Sequence, residues 1–278
     1  MIGRPQNTAK RWGLFWVLVV IVVVINLPIV LMVLNSFQTT EQLMTERRII
    51  PEEPTLANYR YLNERTSFWG FLGNSMVVSG GSTIATMVAA ALAGYALSRF
   101  RGRTLTIHSR ALFVVQMFPI ILALIPLFIL FRTLGLIDSP LSVIIVYTVV
   151  HLPFATWMAR AFFDTIPREL EEAAMADGCS RFQAFWRIVL PLSGPGMAAI
   201  AIFSFLFSYN EFFVANVFLK DEDSMTLPVG IQMFMQQYAT DWGSLMAAAT
   251  VTMIPTFVLF MGIQKYVTYG AVSAGVKG

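Results

Sequence analysis

Cysteine occurs once, at Cys179, and histidine twice, at His108 and His151, in 278 residues. A lone thiol excludes an internal disulfide, and two histidines so far apart in sequence do not suggest a metal cluster. Charge is scarce as well: 13% of the residues are Asp, Glu, Lys or Arg, against roughly 25% in a soluble domain. No Gly-x-x-x-x-Gly-Lys-Ser/Thr phosphate loop occurs, so the chain does not bind and split ATP by itself.

What is abundant is apolar sequence, 56% of the chain with a mean hydropathy of +0.67. It comes in blocks long enough, at about 20 residues, to cross a hydrocarbon core as helices. Six such blocks fall at residues 12–34, 71–97, 111–131, 141–161, 196–217 and 244–266. They predict an all-α polytopic membrane bundle with one transmembrane domain over 1–278. The first block follows Lys10 and Arg11 but exceeds a signal-peptide core of about 7–15 residues and has no Ala-x-Ala site after it, so a retained anchor is expected.

With the N-terminus inside, thirteen of the nineteen Lys and Arg fall in inside segments and six, Arg47, Arg48, Arg60, Arg65, Arg132 and Lys220, outside. The positive-inside rule then puts both termini in the cytoplasm. The net charge of +3 reflects this sidedness and gives no reason to invoke nucleic acid. The outside loop at 35–70, with Pro51 and Pro54, is expected to be irregular. Gly81, Ala85, Ala89 and Ala93 form a small-residue stripe for close helix packing. Pro28, Pro119, Pro126, Pro153 and Pro255 interrupt spans and tend to kink them.

Between the fourth and fifth blocks lies a polar, basic insert, 164–191. Pro167 suits a first helical turn, Glu169, Glu171 and Glu172 suit its positive end, and Leu170, Ala173, Ala174 and Asp177 share one face. Gly178 suits a left-handed stop. Ser180-x-x-Gln183 is a capping box that opens a second helix. Phe182, Phe185, Trp186, Val189 and Leu190 form its apolar face, and Pro191 is expected to stop it. Two readings follow. One is a hairpin lying in the membrane interface. The other is a docking lever, with Glu172, Ala173, Ala174, Asp177 and Gly178 meeting a partner and Phe182, Phe185, Trp186 and Pro191 holding the loop to the bundle.

The pattern Glu172-Ala173-Ala174, three residues, Gly178, nine residues, Ile188-Val189-Leu190-Pro191 resembles the signature of membrane subunits of bacterial ABC importers. Asn74-Ser75, the run from Tyr95 to Phe100, Asn210-Glu211-Phe212, Asp241-Trp242-Gly243 and the tail from Gly270 to Gly278 extend the likeness to the carbohydrate branch, similar to the smaller maltose permease subunit. Tyr209 stands where that branch has Trp, and Cys179 where it has a small residue such as Ala. The resemblance implies a permease subunit for a sugar or sugar-like solute in the bacterial inner membrane. Its implied partners are a second, different permease, two copies of an ABC ATPase that carry ATP and Mg, and a periplasmic or lipid-anchored solute-binding protein. No cofactor is expected on this chain. The loop would seat on the ATPase, and the tail, 267–278, would reach the ATPase dimer.

Candidate solute contacts are Gln116, Tyr147, His151, Tyr209, Asn210 and Glu211. Glu211 is the one acid inside an apolar block. It suits either a functional group in the path or a structural carboxylate near the outer interface. His151 suits either the path or a helix–helix hydrogen bond. A stand-alone carrier would need its own ion coupling and matched broken repeats, and an intramembrane enzyme a plausible catalytic pair. Neither is visible.

Overall fold

The computed structural model describes residues 8–45, 49–235 and 240–275. Among them every regular element is helical, with one isolated antiparallel bridge between Met235 and Thr240. The chain divides into two compact units, Met1–Thr66 with Met233–Met253, and Ser67–Gln232 with Ile254–Gly278.

In the first unit, α1 (Thr8–Asn35) is apolar around its circumference from Trp12 onward, and none of its most apolar stretch is buried. Such a surface is compatible with lipid, not water. The loop expected to be irregular folds in part into α2 (Thr40–Thr45) and α3 (Ala57–Arg65). A capping box starts α2: Thr39 N–H donates to Gln42 Oε1, and Gln42 N–H to Thr39 Oγ1, at 2.8 and 3.2 Å. Asp241 precedes the last helix and accepts from the Thr40 hydroxyl at 2.7 Å and from Ser244 N–H at 3.1 Å. Burial alone would raise its carboxyl pKa. The hydrogen bonds from Ser244 and Thr40 outweigh that and hold it below the usual value. At Gly243 a Cβ would lie 2.7 Å from Asn58 Oδ1 and 2.8 Å from Gln38 O, so the Asp241-Trp242-Gly243 motif is a packed helix start.

The second unit contains α4 (Phe68–Arg99), α5 (Arg103–Met117), α6 (Ile120–Thr133), α7 (Pro140–Asp164), α8 (Arg168–Ala176), α9 (Arg181–Ala184), α10 (Leu190–Leu192), α11 (Gly194–Asn210), α12 (Phe213–Phe218) and α13 (Leu227–Gly230). Helix α14 (Trp242–Gly275) begins in the first unit and ends in the second. Among the described residues four helices, α1, α4, α7 and α14, are long and apolar enough to cross a membrane. Two bent pairs bring the number to six if each is one span.

The first pair replaces the expected span at 111–131. Helices α5 and α6 meet at 98°. Phe118, held extended by the proline after it, and Pro119, which lacks an N–H, break the ladder there. By contrast Pro28, Pro126, Pro153 and Pro255 lie inside helices that continue through them. The expected span at 196–217 also breaks, at Glu211 and Phe212. The last helix runs on to Gly275, through most of the expected tail. Residues 276–278, and Arg4, Arg47, Arg48 and Lys277 from the sidedness count, lie outside the described residues.

Helices α4, α7 and α11 form the packed centre of this unit, with apolar clusters around Tyr147 and Phe218 and around Phe163 and Phe185. The expected stripe makes one close approach, at Gly81, where a Cβ would lie 2.9 Å from Ile144 Cδ1 of α7, but the buried row on α4 is a neighbouring one. Gly81, Ala85, Ala89 and Ala93 are half-buried, whereas Ser79, Ser82, Thr86, Ala90 and Gly94 are buried. Ser82 Oγ donates to Ser208 Oγ of α11 at 2.9 Å. At Gly94 a Cβ would lie 2.8 Å from Ala159 Cβ and 2.9 Å from Arg160 N, so only glycine permits this approach.

Candidate coupling elbow and solute path

The insert folds as a bent pair of helices. Pro167 caps α8 from outside its first turn, one residue earlier than expected. At the far end Gly178 takes φ +91°. Cys179 N–H donates to Ala174 O at 3.0 Å and Gly178 N–H to Met175 O at 3.1 Å, the reverse turn that a left-handed glycine makes available. Both halves of the Ser180–Gln183 capping box are present, at 2.8 and 3.2 Å.

Pro191 does not stop the second limb. The chain widens into a π-turn over Phe185–Val189, where Leu190 N–H bonds Phe185 O, and continues through Pro191 to Leu192. Pro191 cannot donate to Arg187 O, and its ring crowds that carbonyl, so a wider turn relieves both problems. The break comes at Ser193, whose buried hydroxyl donates to Val189 O and Leu190 O at 2.8 and 2.9 Å. From there α11 leaves at 76° to the 181–192 limb.

The faces are also redistributed. Glu172, Ala173, Ala176, Asp177 and Gly178 are exposed, but Ala174 turns inward and is buried. Of the expected anchors, Phe185 is 1% exposed, Trp186 is 48% exposed and Phe182 is 62% exposed. Phe185 packs on Tyr95 of α4 at 4.7 Å and Phe163 of α7 at 6.2 Å. Val189 is buried beside it. Phe182 lies outside that anchor, and Trp186 borders an apolar groove with Met87, Leu92 and Met197.

A buried ion pair adds a further tie. Glu171, read as a helix-dipole partner, is buried and ion-paired with Arg99 at the end of α4: Arg99 Nε donates to Oε1 at 2.5 Å and Tyr95 Oη to Oε2 at 2.7 Å. Arg99 also donates to Ile166 O at 3.1 Å and Ser98 Oγ at 2.9 Å. Ser98 Oγ donates to Asp164 Oδ1 at 2.5 Å, and Arg168 to Ser98 O at 2.9 Å. Tyr95 therefore holds both limbs, one through its hydroxyl and one through its ring. The sequence signal was present in Tyr95 and Arg99, separated by one helical turn. Their partner 72 positions on is a tertiary matter.

Among the solute-path candidates, Tyr147 and Glu211 come together. The Tyr147 hydroxyl donates to Glu211 Oε2 at 2.7 Å. The same carboxylate accepts from the N–H groups of Phe213 at 2.8 Å and Val214 at 3.0 Å, capping α12. Asn210 and Glu211 line a 500 Å³ cavity with Phe207, Phe212 and Phe213. Buried His151 has Nδ1 3.5 Å from Ser208 Oγ and rings of Phe203 and Phe207 about it. Tyr209 is buried and stacked on Phe205 at 5.4 Å. Gln116 is exposed on α5, away from this cavity.

Residues 64–269 match the family described as binding-protein-dependent transport system inner membrane component. The chain belongs to that family. It is a permease component of an ABC importer, and nucleotide hydrolysis belongs to a separate subunit. The inner membrane ABC transporter permease protein YcjP of Escherichia coli (strain K12) is 33% identical, over 100% of both chains. The sulfoquinovosyl glycerol transport system permease protein SmoH of Agrobacterium fabrum (strain C58) is 36% identical over 90% of this permease and 88% of its own length. Among solved structures, a chain of a bacterial ABC transporter involved in import of the acidic polysaccharide alginate shares the fold, with a TM-score of 0.80 at 20% identity over 95% of this permease and 99% of that chain.

Proposed function

We propose that this permease forms half of the translocation path for a sugar or sugar derivative. A second, different permease supplies the other half, and two ATPase copies carrying ATP and Mg drive the pair from the cytoplasmic side. In this reading the six spans leave both termini and the 164–191 elbow in the cytoplasm, and a binding protein outside delivers the solute. The substrate class is supported by the relative named for sulfoquinovosyl glycerol and by the Asn210–Glu211 cavity with its aromatic walls, since sugars are held by hydrogen-bonding groups and aromatic faces.

One observation carries the coupling role: the elbow presents an exposed apex of Ala173, Asp177 and Gly178 while Glu171 and Phe185 clamp its two limbs to one tyrosine. Inverting a 1:99 ratio of gate states takes about 5.5 kcal/mol of differential binding, which a loosely held loop would dissipate. Gly178→Asp adds bulk and charge at the apex. In the reconstituted importer it should abolish solute-stimulated ATP hydrolysis while membrane insertion is retained. Wild-type transport with normal ATPase capture would overturn the reading.

A further inference from the structure

Four arginines from two separate stretches of the sequence converge on one open cavity beside the elbow. Arg99, Arg101, Arg160 and Arg168 line a space of about 840 Å³ between the ends of α4 and α7 and the first turns of α5 and α8. We propose that this cavity binds the phosphate-bearing headgroup of an anionic phospholipid.

The charge balance favours an anion. The two carboxylates in the lining are Asp164 and Glu169. Asp164 already accepts from Ser98 Oγ and lies 3.5 Å from Arg160 Nε. Arg99 is matched by Glu171, while Arg101 is exposed and has no ion pair among the described residues. Helix α5, 15 residues long, starts after Gly102 with no side-chain cap. Its first-turn N–H groups therefore add partial positive charge at the same rim. Guanidinium groups suit phosphate because their paired N–H donors match its oxygens.

A free phosphate and a lipid headgroup share that chemistry, and the surroundings favour the lipid. Exposed Phe113 continues the α5 face that lines the cavity, one turn beyond Ser109, and half-exposed Phe100 belongs to the lining itself. An apolar surface adjoining a basic pocket accommodates acyl chains together with a headgroup, whereas inorganic phosphate would leave it bare. Arg99 and Arg168 belong both to the cavity and to the clamp on the elbow. A bound headgroup would thus brace the coupling element from the membrane side.

The test uses the assembled importer, wild type and Arg101→Gln/Arg160→Gln, delipidated and then offered phosphatidylglycerol or phosphatidylcholine, with bound lipid counted by native mass spectrometry. Wild type should retain the anionic lipid at least tenfold over the zwitterionic one, and the double variant should lose most of that preference. Equal retention of the two lipids by wild type, or an unchanged preference in a folded variant, would overturn the proposal. A photoactivatable phosphatidylglycerol on the wild-type complex needs no variant: labelling within residues 101–109 supports the site, and labelling confined elsewhere refutes it. If millimolar inorganic phosphate shields Arg101 from an arginine reagent while no lipid is retained, the cavity is a soluble-anion site and the lipid assignment fails. Crosslinks from 101–109 to a partner subunit would assign the cavity to a protein contact and overturn it equally.

Discussion

Removing Arg99 should damage this permease more than removing the acid it holds. The Arg99 and Glu171 side chains are 7% and 8% exposed, and deleting one member of a buried pair costs about 3–5 kcal/mol because the other charge is stranded. Arg99→Gln strands Glu171 with only the Tyr95 hydroxyl and also frees Ile166 O. Glu171→Gln leaves Arg99 bonded to Ser98 and Ile166, and its amide oxygen still accepts, so its loss should fall below that range. Tyr95→Phe removes one hydrogen bond to a charged group, about 1.5–3 kcal/mol, while keeping the ring against Phe185. The double variant Arg99→Gln/Glu171→Gln should recover part of the Arg99→Gln loss, since no charge is then stranded. The assays are denaturant or thermal unfolding of each variant, and ATP hydrolysis per transported solute in reconstituted complexes. Looser elbows should hydrolyse ATP with less transport. Strictly additive losses in the double variant, or undiminished coupling in Arg99→Gln, would refute the clamp.

Gly178→Ala should cost about 1–2 kcal/mol, the penalty of a left-handed L-residue, without a clash, because nothing lies within 4 Å of the added Cβ. Gly94→Ala should cost about 1–3 kcal/mol through overpacking; comparing its helix-packing disulfide-trapping pattern with that of Gly178→Ala will show whether the α4–α7 contact opens. Glu211→Ala should lower the melting temperature, with about 1–2 kcal/mol lost from the α12 cap; unchanged stability with altered solute affinity would instead place that carboxylate in the path. Asp241, with its folded pKa below the usual carboxylate value, contributes stability above that value and loses it as pH falls through the lower folded one. Unfolding followed from pH 5 downward should therefore show an acid-side loss that Asp241→Asn lacks.

Period and composition were enough for the all-helical class, because an uninterrupted apolar run of span length has no other stable solution in lipid. The elbow's cap at Ser180 and its stop at Gly178 were equally legible, since both act within a few residues of themselves. Tertiary structure decided what acts across the chain. It set which of five prolines breaks a helix, sent Pro191 into a widened turn, buried Glu171 on Arg99, and split the aromatic face so that Phe185 anchors while Phe182 does not. It also turned Glu211 from a lone acid into the seat of α12. Spacing specifies which residues share a face, but burial of a charge depends on whether an opposite charge from a distant segment arrives there, and one-dimensional order does not encode that arrival.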